Sequence, residues 1–188
     1  YVASALAAAE EVFGATAVRV EDVAFLQAML LPSDADRRTV NVVLEPSGSL
    51  YGYSTFSTIS GDDADGWVQH ARARVMRGSS ADPVARTADL AAMRQRMTGR
   101  LTPDEFNTAM EARSFKFGPT FKWVQNMYLK PGEVLAELLQ PAEAADAGKY
   151  PLHPGLIDTC FQVTSAAAHN NTDTSMTAVP FGIERVTW

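Results

Sequence analysis

Cysteine is almost missing from this chain: its 188 residues include one, Cys160. No intramolecular disulfide can form, and no Cys/His spacing suits a metal, so a metal centre is not expected. A lone thiol fits a reducing, cytoplasmic setting. Long apolar runs are also missing; none reaches the ~18 residues that a membrane-crossing helix needs. The opening stretch YVASALAAAEEVFG contains Glu10 and Glu11 and no basic segment, so it does not read as a secretion signal. Basic charge is in deficit, with 16 Lys and Arg against 22 Asp and Glu and a net charge of −6. Such a balance lacks the electrostatic footprint of a nucleic-acid binder. What is present is ordinary globular material, 46% apolar and 20% charged, enough to build a buried core.

Along the chain, residues 2–13 are rich in alanine, leucine and glutamate, which predicts a helix that stops at Gly14. Residues 18–31 shift to β-branched and aliphatic residues, with a bend or bulge near Asp22. Residues 38–45 and 50–59 read as a hairpin around Pro46-Ser47-Gly48-Ser49, and 61–66 as a further tight turn. WVQHARARVM (67–76) alternates, with Val68, His70, Arg72 and Arg74 on one side and Trp67, Ala71, Ala73 and Val75 on the other. Residues 77–110 are charged and unpatterned for strands, so they read as a surface linker, with a helix over 87–97 and a helix start at Thr102-Pro103. Residues 119–129 and 134–140 read as strands about the Lys130–Glu133 turn, 156–168 as an apolar helix, and 179–188 as another strand run. The pattern predicts an α+β protein with lobes at 1–76 and 111–188 joined by the linker 77–110.

Chemistry concentrates in HPGLIDTCFQ (153–162). Pro154 suits a first helical turn. Leu156, Ile157 and Phe161 supply an apolar face, on which Asp158 does not belong. Near a helix N-terminus an aspartate gains from the dipole, yet it is costly to bury without partners. Gln162 follows at i+4, so carboxyl and amide lie side by side, able to grip a hydroxyl. Spacing alone leaves open the plainer alternative of a surface aspartate favoured by the dipole. Of the three histidines, His70 reads as structural or exposed, His153 as either a pocket wall or a cap, and His169 as solvent-facing. Trp123 and Tyr128 read as core residues, and Cys160 as buried packing.

Four segments together resemble the dehydratase domains of modular polyketide synthases. HPGLIDTCFQ is similar to their HPALLDxxxQ, with Gly155 for the usual Ala and Ile157 for a usual Leu. Phe117-Gly118-Pro119-Thr120-Phe121 resembles YGPxF, with Phe117 for Tyr; VPFGIERV resembles LPFxxxxV; and WVQHARARV resembles WxxHAxGxV. The resemblance runs from Tyr1 to Trp188. It implies a double hotdog, two long helices each wrapped by an antiparallel sheet. The activity it implies is syn elimination of water from a β-hydroxyacyl thioester carried on the phosphopantetheine of an acyl carrier protein, with no cofactor of its own. Carried over, Asp158 is the acid for the departing hydroxyl and Gln162 its orienting partner. A dry tunnel would keep such an acid protonated by disfavouring its charged form. His153, Pro154, Phe117, Gly118, Pro119, Phe121, Pro180 and Phe181 become the expected substrate pocket. Neighbouring synthase domains and a homodimer are further implied partners.

The family's proton-abstracting histidine lies in an HxxxGxxxxP motif, which residues 1–188 do not contain. Tyr1 matches a position just after it. These residues alone are therefore expected to be inactive. The alternatives to a working lyase are an inactive dehydratase-like scaffold, or a double-hotdog isomerase, cyclase or product-template domain.

Overall fold

A computed structural model describes residues 1–14, 17–31, 37–59, 66–78, 88–168 and 179–188. His169, most of the expected turn at 61–66 and part of the linker lie outside the described residues. Contacts divide the chain into two compact units, Tyr1–Pro83 with Pro180–Trp188, and Val84–Val179. Among the described residues no helix is long and apolar enough to cross a membrane.

The first unit opens with helix α1 (Val2–Phe13), whose buried stripe is Val2, Ala3, Ala5, Leu6 and Ala9. Gly14 ends it at φ 74°, a left-handed conformation that glycine adopts without steric cost, while its N–H reaches Glu10 O at 2.8 Å. Strands β1 (Val18–Phe25), β2 (Arg38–Ser47), β3 (Leu50–Ile59), β4 (Val68–Arg77) and β8 (Gly182–Thr187) form an antiparallel sheet in the order β2-β3-β4-β1-β8. The β2–β3 turn is the two-residue Gly48-Ser49, since Ser47 pairs with Leu50. The bend expected near Asp22 is a bulge: pairing with β4 slips between Glu21 and Ala24, and Asp22 has φ 51°. α1 packs on β1, β4 and β2, and the small alanine stripe lets helix and sheet approach closely.

β8 corrects the sequence reading, which put residues 179–188 with the second lobe. It pairs instead with β1, Glu21 facing Arg185. Glu21 also faces Arg74 of β4, and its carboxylate lies 3.0 Å from Arg185 Nε and 3.4 Å from Arg74 Nη2. Opposite charges directly across both ladders favour this register.

The second unit contains α2 (Leu90–Gln95), β5 (Gly99–Leu101), α3 (Pro103–Glu111), β6 (Val124–Lys130), β7 (Glu133–Leu138) and α4 (Pro154–Ala168). Its sheet is β5-β6-β7, antiparallel throughout. Residues 119–121, expected as strand, form a 3₁₀ turn, Pro119–Phe121. The segment read as surface linker also needs correction. β5 pairs with β6, and Phe106 and Met110 of α3, at 2% and 3% exposure, form the core with Met127. Their i, i+4 spacing gives an otherwise charged helix one apolar edge, which suffices to dock it.

α3 begins at the helix start expected at Thr102-Pro103, and the structure adds a reciprocal cap: Glu105 N–H donates to Thr102 Oγ1 at 3.3 Å, and Thr102 N–H donates to Glu105 Oε2 at 2.8 Å. The Thr102 backbone N–H first, and its hydroxyl second, hold the Glu105 carboxyl below its ordinary pKa. A carboxyl depressed in the folded state contributes stability above its unfolded pKa and loses it as pH falls through the folded one. Thr102→Ala is therefore expected to cost about 1 kcal/mol at neutral pH, with the deficit narrowing below roughly pH 4. Urea denaturation across that range checks it; because the backbone N–H stays in the variant, a constant deficit would remove the hydroxyl's share of the Glu105 link.

Candidate functional site

α4 carries Asp158 and Gln162 one turn apart, and helical geometry brings them together: Gln162 Nε2 donates to Asp158 Oδ2 at 2.7 Å. Asp158 is half-buried and Gln162 is buried. The apolar residues Leu156, Ile157 and Phe161, expected to be the inner face, are only half-buried. The buried stripe is Gly155, Thr159 and Gln162, spaced i, i+4, i+7. Asp158 flanks that stripe, so its carboxylate has a fixed partner on one side.

The stripe meets the 3₁₀ turn Pro119–Phe121. Thr159 Oγ1 lies 2.8 Å from Gly155 O and 3.1 Å from Phe121 O. Gln162 Nε2 also approaches Phe121 O at 3.5 Å. Phe121 N–H closes the turn onto Gly118 O at 3.0 Å. Gly155 is where the backbones come closest: a Cβ there would sit 2.3 Å from Thr120 O and 2.9 Å from Trp123 Nε1. This contact accounts for the glycine that replaces the usual alanine, since any side chain would push α4 off the turn.

His153 caps α4. Its Nδ1 accepts from Gly155 N–H at 3.0 Å, which places the ring proton on Nε2, and its carbonyl accepts from Leu156 and Ile157 N–H at 3.0 and 3.2 Å. The ring rests against Trp123 and Tyr150, at 5.2 and 5.1 Å between centroids. Pro154 follows as the first residue of α4.

The remaining expected pocket residues divide. Gly118, Pro119 and Phe121 build the turn that meets Thr159 and Gln162. Phe117 stacks on Phe115 at 5.8 Å and packs against the Phe106, Met110 and Met127 core. Pro180 and Phe181 belong to the other unit, where both are exposed, Phe181 at 85%; Phe25 N–H donates to Phe181 O at 2.9 Å. Cys160 is a correction: it is exposed, not packed, and partial desolvation raises its thiol pKa, so little thiolate forms.

His70 is buried although the alternation put it beside exposed Arg72 and Arg74. Thr55 pairs with Ala71 but Phe56 with Gln69, so His70 is the extra residue of a bulge in β4. Sequence reasoning missed two participants in the α4 site. One is Thr159, whose signal was a hydroxyl one turn after Gly155. The other is the Phe121 carbonyl, a backbone group with no signal at all.

With that geometry in place, the chain's relatives can be set beside it. Residues 85–188 match the family described as polyketide synthase dehydratase N-terminal domain. Phthioceranic/hydroxyphthioceranic acid synthase of Mycobacterium tuberculosis (strain H37Rv) is 25% identical over 190 residues, covering 99% of this chain and 9% of the synthase. Among solved structures, an inactive His-to-Phe mutant of the CurJ dehydratase in complex with a compound is 30% identical with a TM-score of 0.83, covering 99% of this chain and 62% of that one. The dehydratase domain from the CurF module of curacin polyketide synthase is 26% identical with a TM-score of 0.86, covering 98% and 65%. The chain thus spans a small part of the curated synthase and less than two thirds of the solved domains. The helix-and-antiparallel-sheet units are those of the double-hotdog fold.

Proposed function

The chain belongs to the polyketide synthase dehydratase family, and from that premise we propose that it supplies the acid for eliminating water from a β-hydroxyacyl thioester. The observation that carries this reading is the 2.7 Å bond between Asp158 and Gln162, on a helix whose other inward positions leave no second carboxyl. In the elimination, a base takes the α proton and the C–H electron pair becomes the new double bond. The β C–O bond breaks, and the leaving oxygen takes its proton from Asp158, departing as water. Gln162 holds the carboxyl at one oxygen and leaves the other for the hydroxyl. Positioned proton transfer of this kind contributes roughly 10²–10⁴-fold.

The base belongs to the family's HxxxGxxxxP histidine, and His70 cannot stand in for it, because both of its ring nitrogens are engaged within the fold. The CurJ neighbour, inactive as its His-to-Phe mutant, supports the need for a histidine. The acyl chain arrives on the phosphopantetheine of a carrier protein, so no cofactor of the chain's own is required, and neighbouring synthase domains are partners in a cytoplasmic multienzyme. The rival reading is a dehydratase-like scaffold without activity.

The two readings separate in one experiment. The full-length protein is incubated with a β-hydroxyacyl carrier-protein substrate and the bound chain is weighed by mass spectrometry. Loss of the mass of one water, with an α,β-enoyl product, is expected; an unchanged substrate would favour the scaffold, and a shifted double bond or a ring would mark an isomerase or cyclase.

A further inference from the structure

Thr159 has no role in the elimination as described, yet its side chain is completely buried, on the same helical stripe as Gln162. Its hydroxyl has one proton and two carbonyl oxygens within reach, Gly155 O at 2.8 Å and Phe121 O at 3.1 Å. The first bond lies within α4; the second ties α4 to the Pro119–Phe121 turn. Phe121 O is therefore a shared acceptor, approached by Thr159 and by Gln162 Nε2.

That sharing fixes the Gln162 amide. Its NH₂ group has two protons, one directed at Asp158 Oδ2 and one toward Phe121 O. With the amide turned over, its oxygen would face two acceptors and both bonds would be lost. Of the two donors that approach Phe121 O, Thr159 Oγ1 is the nearer, at 3.1 Å against 3.5 Å for Gln162 Nε2, although it shares its single proton with Gly155 O. Without the hydroxyl, Gln162 Nε2 is the donor left to Phe121 O among the described residues, and a closer bond there draws the amide away from Asp158.

We propose that Thr159 is a positioning residue for the Asp158–Gln162 pair, acting through the Phe121 carbonyl; the proposal rests on the reading of Asp158 as the acid. A displacement of the acid slows the chemical step without altering how the acyl chain binds.

The test measures dehydration kinetics of the full-length protein carrying Thr159→Val, Thr159→Ala, Thr159→Ser or Asp158→Asn. Thr159→Val keeps the shape and removes the hydroxyl, and is expected to lower kcat roughly 10- to 100-fold with KM nearly unchanged. Thr159→Ser restores the hydroxyl and should recover kcat to within about threefold of the parent, a rescue that simple packing would not give. If Thr159→Val fails to fold, Thr159→Ala removes the same group without adding bulk in its place. Wild-type kcat in the hydroxyl-free variants while Asp158→Asn is inactive would overturn the role of Thr159 alone. The same holds if Thr159→Ser is as slow as Thr159→Val, or if the loss lies wholly in KM. Wild-type kcat in Asp158→Asn would instead remove the acid reading, and the Thr159 proposal with it.

Discussion

Asp158→Asn is expected to slow dehydration by roughly 10²–10⁴-fold, the usual worth of a positioned acid, while the fold and substrate binding persist. Asparagine has the shape of aspartate, and its amide oxygen can still accept from Gln162 Nε2, so the 2.7 Å contact need not break. What the amide cannot do is hand over a proton. The leaving hydroxyl would then have to depart as hydroxide or draw its proton from solvent. Because the substitution removes an interaction made in the transition state, the loss should fall on kcat, with KM little changed. Initial rates of enoyl formation on the carrier protein measure it. A rate within a few-fold of the parent would show that the departing oxygen is protonated by another group.

A second large effect is expected at His70, and it concerns stability. The ring is 2% exposed. Its Nδ1 lies 3.0 Å from Gln27 O, and because a carbonyl can only accept, Nδ1 must carry the proton. Nε2 is then the acceptor, and Ser57 Oγ donates to it at 2.7 Å. Ser57 is itself fully buried. His70→Leu takes away the acceptor of the buried Ser57 hydroxyl, which keeps only a 3.4 Å contact from Arg38 Nη1 among the described residues, at roughly 1–3 kcal/mol. It also removes the donor to Gln27 O, on an exposed residue, the imidazole's own packing, and the stacking on Tyr1, whose ring lies 6.3 Å away and nearly parallel. A total of about 2–5 kcal/mol is a large share of a domain's stability. Adding Ser57→Ala should recover part of the loss, because an absent hydroxyl needs no partner. Urea denaturation of the isolated domain gives both values. A cost below about 0.5 kcal/mol for His70→Leu, within the range of ordinary surface changes, would mean that the bulge holds without the imidazole.

What the sequence determined by itself was whatever depends on residues close together in the chain. Alanine-rich α1 with its stop at Gly14, the hairpin at Gly48, the Thr102–Glu105 cap and the Asp158–Gln162 pair all arise from contacts one to four residues apart. Their periodicities are set by helix and strand geometry and can be counted along the chain. Only the tertiary structure decided the rest. An extra residue in β4 buried His70 against the alternation around it. Backbone pairing with β1, in a register that sets Arg185 against Glu21, took β8 into the first sheet. A close approach to Thr120 O accounts for the bare Cα of Gly155, and the backbone oxygen of Phe121 became the anchor of the site. Register, bulges and main-chain acceptors are properties of how distant segments meet. Every residue has the same carbonyl, so no letter of the sequence marks which one will be used.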